Sequence, residues 1–222
     1  MARASTRINT GKATLMWPKL VKAEVNGMKP EGSAKEYGAT FVFKKGSPEL
    51  KKLEDALESL IDIDFTDGEA DDQNFKYPVK DGDAFNKKRV KKGKEPIAAM
   101  EGCAYIQPFM SEEDGAPDLY DGQTALKDRA DGTKLFYSGA QVAPLLNLFT
   151  YDNKFGCGLS MRLIGAQFFS HGEKLGGGGG GPTNDLLASD ASGTGAEASA
   201  KPEGSKSRRS RVSEDEADMD FN

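Results

Sequence analysis

Apolar and polar positions alternate most regularly between Gly139 and Phe169. A period of two marks a strand whose faces meet different surroundings. Val142, Leu146 and Leu148 fall on one face, and Gln141, Asn147, Phe149 and Tyr151 on the other. Beyond Tyr151-Asp152-Asn153-Lys154 the pattern resumes, with Cys157, Leu159, Met161 and Leu163 on one side and Ser160 and Arg162 opposite. Asp and Asn tolerate the left-handed backbone of a tight turn, so 139–169 reads as a long β-hairpin turning at 151–154. Near Gly165 the apolar parity shifts to Ile164, Ala166 and Phe168, which predicts a bulge or bend.

Shorter runs precede the hairpin. Residues 1–12 are polar and read as loose chain. A first strand covers 13–26, and Pro18 within it demands an edge position or a bulge. A second covers 36–45, with Tyr37, Ala39, Phe41 and Phe43 on one face. Ser47 is then a helix N-cap with Pro48 at the first helical position. Leu50, Leu53, Leu57, Leu60 and Ile61 recur at helical spacing, giving an amphipathic helix to about residue 61 that covers one side of a sheet. Residues 77–83 read as a turn, 102–109 as a third strand, and 118–121 as a short strand. Strand, strand, helix, strand and hairpin describe a mainly β chain. They suit a five-stranded barrel of the oligonucleotide-binding (OB) type with one covering α-helix, although that helix is displaced from its place in the simplest such barrel.

The pattern ends at Leu175. Six glycines, Gly176 to Gly181, open a segment rich in Ser, Ala, Gly and Thr. The glycine run lacks the Gly-Lys-Ser/Thr ending of a phosphate loop and reads as a flexible tether. Three parts follow: a domain at 1–175, a disordered linker at 176–213 and an acidic tip at 214–222. The tip holds Glu214, Asp215, Glu216, Asp218 and Asp220, with Met219 and Phe221 as apolar anchors. It can occupy a basic groove on its own body or dock into a partner, the acids steering and the ring supplying contact. A merely solubilising tail would not need an aromatic.

Charge alters the picture in one respect. Of 35 acids and 30 bases, residues 176–222 hold nine and five, which leaves 26 acids and 25 bases for residues 1–175. The acidic pI therefore resides largely in the tail and does not exclude an anionic ligand for the body. Within the body, Lys87, Lys88, Arg89, Lys91, Lys92 and Lys94 make a dense basic run, read as a phosphate-contacting arm, a solvated loop or, third, a nuclear-import signal. Asp62, Asp64, Asp67, Glu69, Asp71 and Asp72 crowd one acidic stretch, but their spacing misses the glycine and closing glutamate of a calcium loop. One histidine, His171, and no Cys/His cluster argue against zinc, and no cofactor is expected. Cys103 and Cys157 fall in strands and read as reduced, buried thiols. No apolar stretch approaches a membrane span, and the N-terminus lacks the apolar core of a secretion signal.

Aromatics and amides on a face turned away from the core suit base stacking. Phe149, Tyr151 and Tyr105 are the stacking candidates, with Trp17 divided between stacking and packing. Arg162, Lys154, Lys19, Lys44 and the 87–92 cations are the phosphate candidates. The rival readings are a nuclease using the acids of 62–72 with magnesium, a structural or assembly protein with a β-rich body, and a strand-annealing recombinase. The nuclease is disfavoured because its acids share one loop instead of converging from separate strands.

The stretches Phe136–Val142, Tyr151–Lys154, Gly158-Leu159-Ser160 and Gly165–Phe169 resemble those of phage-encoded single-stranded-DNA-binding proteins, as do Trp17-Pro18 and the Tyr37–Phe43 strand. The tail resembles the acidic, phenylalanine-bearing tails of T7-type phage and bacterial counterparts, although Asn222 follows Phe221 here. The resemblance implies an OB-fold, non-catalytic protein that binds single-stranded DNA without sequence preference in phage replication or recombination. It also implies homodimers, recruitment of polymerase or helicase-primase through the tail, and action in the cytoplasm of the infected bacterium.

Overall fold

In the computed structural model, which describes residues 4–25, 32–66, 69–71, 74–154 and 156–175, the two long alternating runs pair as expected. The elements in chain order are β1 (Ser5–Asn9), β2 (Ala13–Glu24), β3 (Glu36–Lys44), α1 (Pro48–Asp64), β4 (Lys80–Asp81), α2 (Gly82–Lys91), β5 (Cys103–Ile106), β6 (Phe109–Ser111), β7 (Asp118–Asp121), β8 (Thr124–Ala125), α3 (Gly132–Leu135), β9 (Gln141–Asn153) and β10 (Gly156–Ser170). The glycine run, the linker and the acidic tip with Phe221 lie outside the described residues.

Five strands close a ring in the order β9, β2, β3, β6, β10, with β10 returning to β9. All its pairs are antiparallel except β6 with β10, which meet in parallel at Phe109 and Arg162. This is the OB-type barrel that the strand pattern called for. β5 continues β6 across Gln107-Pro108, and β7 adds to β10 in parallel. The ring's interior is the core: Leu15, Leu20, Phe41, Phe43, Ile106, Val142, Leu146, Leu148 and Leu163 are each at most 1 % exposed. α1 drives Leu50, Leu53, Leu57 and Leu60 into the same core. Ser47 Oγ accepts from the Leu50 amide at 3.2 Å, so the N-cap is as read. At the far end of α1, Asp64 Oδ2 accepts from the Ala4 amide at 2.7 Å and from the Thr150 hydroxyl at 2.5 Å, tying the helix to the start of the chain and to β9.

Both expected irregularities are present. Between Met16 and Lys19 the β2–β3 register shifts, and Trp17 in the bulge has φ 47°. Another shift lies between Leu163 and Gly165. Four expectations need correction. The hairpin pairs through Asn153 and Gly156, so Tyr151 and Asp152 are ladder residues and the turn lies two residues further on. Residues 5–9 are not loose: they pair with Leu145–Phe149 as an edge strand. Residues 82–91 form a second helix, capped by Asp81 and carrying Lys88, Arg89 and Lys91 in its last turn, where cations complement the helix dipole. Cys103 and Cys157 are free but only half-buried.

Among the described residues no helix is long and apolar enough to cross a membrane, and no three His, Cys, Asp or Glu side chains cluster to hold a metal.

Because the α1 leucines share the barrel's core, Leu57→Ala should lower unfolding stability by about 2–5 kcal/mol in denaturant titration. A loss below roughly 0.5 kcal/mol, the scale of an ordinary surface change, would show that α1 is not part of that core.

Candidate nucleic-acid interface

Alternation assigns the outer face of the barrel as firmly as the inner one. In β5 and its continuation, Ala104 and Ile106 go in, while Tyr105, Gln107 and Phe109 go out. In β3 the outward set is Glu36, Gly38, Thr40, Val42 and Lys44, opposite the inward Ala39, Phe41 and Phe43. Register then aligns one row across six strands. Lys19 pairs with Gly38, Gly38 with Phe109, Phe109 with Arg162, Arg162 with Asn147, and Asn147 with Arg7. Residues in register share a side of the sheet, so this row places an aromatic, an amide and three cations on one outer band.

A groove of about 410 Å³ opens on that band, lined by Trp17, Lys19, Glu36, Gly38, Ala39, Thr40, Lys80, Gln107, Pro108 and Phe109. Two rings stand open at it, Trp17 at 44 % and Phe109 at 51 % exposure. Gly38 keeps the floor low between Lys19 and Phe109, since a Cβ there would stand 3.2 Å from the Pro108 carbonyl. The floor is hydrogen-bonded: Lys80 Nζ donates to Gln107 Oε1 at 3.0 Å, and Gln107 Nε2 donates to Thr40 Oγ1 at 3.1 Å. Lys19 Nζ donates to the Val25 carbonyl at 3.0 Å and lies 3.7 Å from Glu24.

Trp17 is held from two sides. Its amide donates to Ser138 Oγ at 3.0 Å, and its ring meets Phe85 of α2 at 6.2 Å. Phe85 in turn meets Tyr105 edge-on at 5.7 Å, so α2 sits over a small outer cluster of Met16, Val42, Met100 and Tyr105. Lys45 fixes the start of α2 by bonding Asp81 at 3.1 Å and Asp83 at 2.6 Å. That bonding holds both carboxyls below their ordinary range.

The residues singled out from the sequence do not all converge. Trp17, Lys19 and Arg162 belong to the band. Phe149 and Tyr151 are half-buried on the outer face of β9, where Phe149 pairs with Ser160 and Ser5, and Tyr151 with Gly158. Tyr105 is a correction: it faces outward but is 7 % exposed beneath Phe85, with Lys80 Nζ 5.9 Å from its ring centre. Burial pushes its hydroxyl pKa up, and the ring offers no open platform. Lys44 ends β3 about 20 Å along the strand from Gly38, outside the groove. Lys154 lies at the hairpin end. Lys87, Lys88, Lys91 and Lys92 are exposed on or just after α2, while Arg89 donates to the Glu95 carbonyl at 2.9 Å beside the Phe85 ring. The basic run is thus the end of a helix, not a loop arm. Arg162 is paired to Asp114 at 3.1 Å, with both side chains well exposed.

Sequence reasoning missed Phe109, Gln107, Lys80 and Arg7. For Phe109 and Gln107 a signal existed, because the alternation that turns Tyr105 outward does the same at 107 and 109. Arg129 was also missed: it donates to the Leu20, Val21 and Pro117 carbonyls and lies 5.0 Å over the Tyr37 ring, a bracing role behind the wall.

Comparison with known proteins now decides the family. Residues 6–192 match the family described as the ssDNA-binding protein of Enterobacter phage Enc34. The chain belongs to that family. No curated protein shows significant sequence similarity. Among solved structures, the single-stranded DNA-binding protein of bacteriophage Enc34 in complex with ssDNA is 17 % identical, with TM-score 0.56, over 78 % of this chain and 89 % of that one. The same phage protein in another structure is 15 % identical, with TM-score 0.53, over 82 % and 89 %. The single-stranded DNA-binding protein gp2.5 of bacteriophage T7 is 12 % identical, with TM-score 0.50, over 88 % and 100 %. At such identities the likeness is one of fold, and it places this family member on the same barrel.

Since Phe85 is the ring that α2 sets against Trp17, Phe85→Ala should shift Trp17 emission to the red while the protein still unfolds cooperatively. Unchanged emission would mean that α2 does not position the indole.

Proposed function

We propose that the chain binds single-stranded DNA without sequence preference, laying unpaired nucleotides across the outer band of the barrel. The observation that carries this reading is the register row Lys19, Gly38, Phe109, Arg162, Asn147 and Arg7, with Trp17 beside it. Open rings accept any base by its π-face, at about 1–3 kcal/mol per stacked base, and cations spaced between them meet the phosphates. Family membership supports the ligand class, and the Enc34 relative solved with ssDNA supports it further.

In this reading Phe109 and Trp17 stack, and Lys19, Lys80, Arg162 and Arg7 track the backbone. Phe149 and Tyr151 extend the surface along the hairpin, and the α2 lysines draw the strand in from a distance. Asp114 occupies Arg162 until a phosphate replaces it. The role is protection and handling of unpaired DNA in phage replication or recombination, in the cytoplasm of the infected cell. The acidic tip, Glu214 to Phe221, would compete for the same cations and recruit replication proteins such as polymerase or helicase-primase.

Four outcomes are expected. Oligo-dT should quench Trp17 and bind less tightly as salt rises, and Phe109→Ala should weaken binding about 5- to 150-fold, the equivalent of one lost stack. Salt-independent binding, or a Phe109→Ala protein as tight as the parent, would contradict the assignment. Deleting 214–222 should tighten binding, and unchanged affinity would remove the competition. Labelled DNA incubated with magnesium should stay intact; cleavage would favour the nuclease.

A further inference from the structure

We infer that the strand path does not stop at Trp17 but continues onto a second stacking patch at the end of β10, formed by Lys12, Tyr137, Phe169, His171 and Lys174, which takes further nucleotides of the same strand. This inference rests on the single-strand reading above and adds a site to it.

The backbone makes the patch continuous with the groove. The Leu15 amide donates to the Ala140 carbonyl at 2.9 Å, the Gly139 amide to the Leu15 carbonyl at 2.8 Å, and the Leu175 amide to the Ser138 carbonyl at 2.8 Å. Residues 138–140 therefore run between β2 and 171–175, and the barrel wall extends past the ends of β9 and β10. Gly139 makes the extension possible: its φ is 107°, and a Cβ would fall 1.8 Å from the Glu173 carbonyl oxygen. Ser138 in that extension is the residue whose hydroxyl receives the Trp17 amide. The residue that follows Tyr137 is thus hydrogen-bonded to the backbone of a groove residue.

The chemistry of the groove recurs on the patch. The Tyr137 and His171 rings stack at 5.8 Å and 16°, and His171 also meets Phe168 at 4.9 Å. The Tyr137 hydroxyl donates to the Gly172 carbonyl at 3.0 Å and accepts from the Gly172 amide at 3.1 Å, so the ring is fixed before any ligand arrives. Lys174 Nζ stands 5.6 Å from the Tyr137 ring centre. Phe169 is 47 % exposed, with Lys12 Nζ 5.8 Å from its ring. A lone exposed aromatic needs no explanation. Here two rings each carry a lysine beside a hydrogen-bonded extension of the proposed track, which is the pairing that nucleobases and their phosphates require. Acids border the patch: Glu173 is exposed within it, and the exposed Asp121 of β7 stands in register with Phe168.

The test uses full-length protein and oligo-dT of about 4 and about 16 nucleotides, the limits of a single barrel's usual site. Trp17 emission reports groove occupancy for both. Phe169→Ala should leave the short oligonucleotide unchanged and weaken the long one about 5- to 150-fold. Lys12→Gln with Lys174→Gln, two exposed changes that spare the packing, should lower the salt slope for the long oligonucleotide by about 1.4, the loss of two phosphate contacts. Variants that match the parent at both lengths, or that lose affinity equally at both, overturn the second patch alone. A parent protein that binds neither length overturns the single-strand reading and the patch with it.

Discussion

Strand β9 is the shared member on which the barrel closes: it ladders with β1, β2 and β10 at once. Its inward residues, Val142, Leu146 and Leu148, are fully buried, and each fills the core that α1 seals from one side. Pairing on both edges leaves β9 no freedom to slip, since a shift of one residue would turn three buried aliphatics to water. The outer face inherits that rigidity. Arg162, Asn147 and Arg7 are held in one row because β9 fixes β10 on one side and β1 on the other.

The inner face thus determines the outer one. Alternation puts leucine and phenylalanine in, and whatever remains goes out; on β2, β3, β6, β9, β10 and β1 the remainder is lysine, glycine, phenylalanine, asparagine and arginine. The bulge at Trp17 adds what alternation alone would not supply, a large ring at positive φ turned to solvent and steadied by Ser138 and Phe85. Such strain is held at a site only where the surroundings over-determine it. The band is also bounded. Glu36 lies at one end of the groove, Glu112, Glu113 and Asp114 follow β6, and the α2 cations stand on the side of Phe85. Near-zero net charge in the body thus goes with acids set beside the band's cations, Glu24 by Lys19 and Asp114 by Arg162.

Much of this was legible in the residues. The two hairpin strands, the leucine stripe of α1 with its Ser47 cap, and the irregularities at Pro18 and Gly165 all follow from local chemistry that tertiary contacts did not override. The family resemblance was legible too, in the hairpin and the Trp17-Pro18 pair. Other features were hidden for identifiable reasons. β1 is an edge strand with one partner, so its polar sequence shows little alternation. α2 has no apolar stripe, because it rests on the barrel through Phe85, a buried Gly82 and a buried Asn86 that exchanges hydrogen bonds with the Ile97 backbone; only Asp81, Asp83 and the terminal cations marked its ends. Tyr105 was placed on the correct face, but its cover comes from that unseen helix. Phe109 carried the same alternation as Tyr105 within the 102–109 run, across the Pro108 that separates β5 from β6.

The central claim is that the row crossing β2, β3, β6, β10, β9 and β1 is the path of the unpaired strand. Photocrosslinking a bromodeoxyuridine oligonucleotide to the intact protein, with the adducts mapped by mass spectrometry, tests it most directly. The account predicts adducts at Trp17 and Phe109. Adducts confined to the far side of the barrel, around Tyr77 and α1, would contradict it.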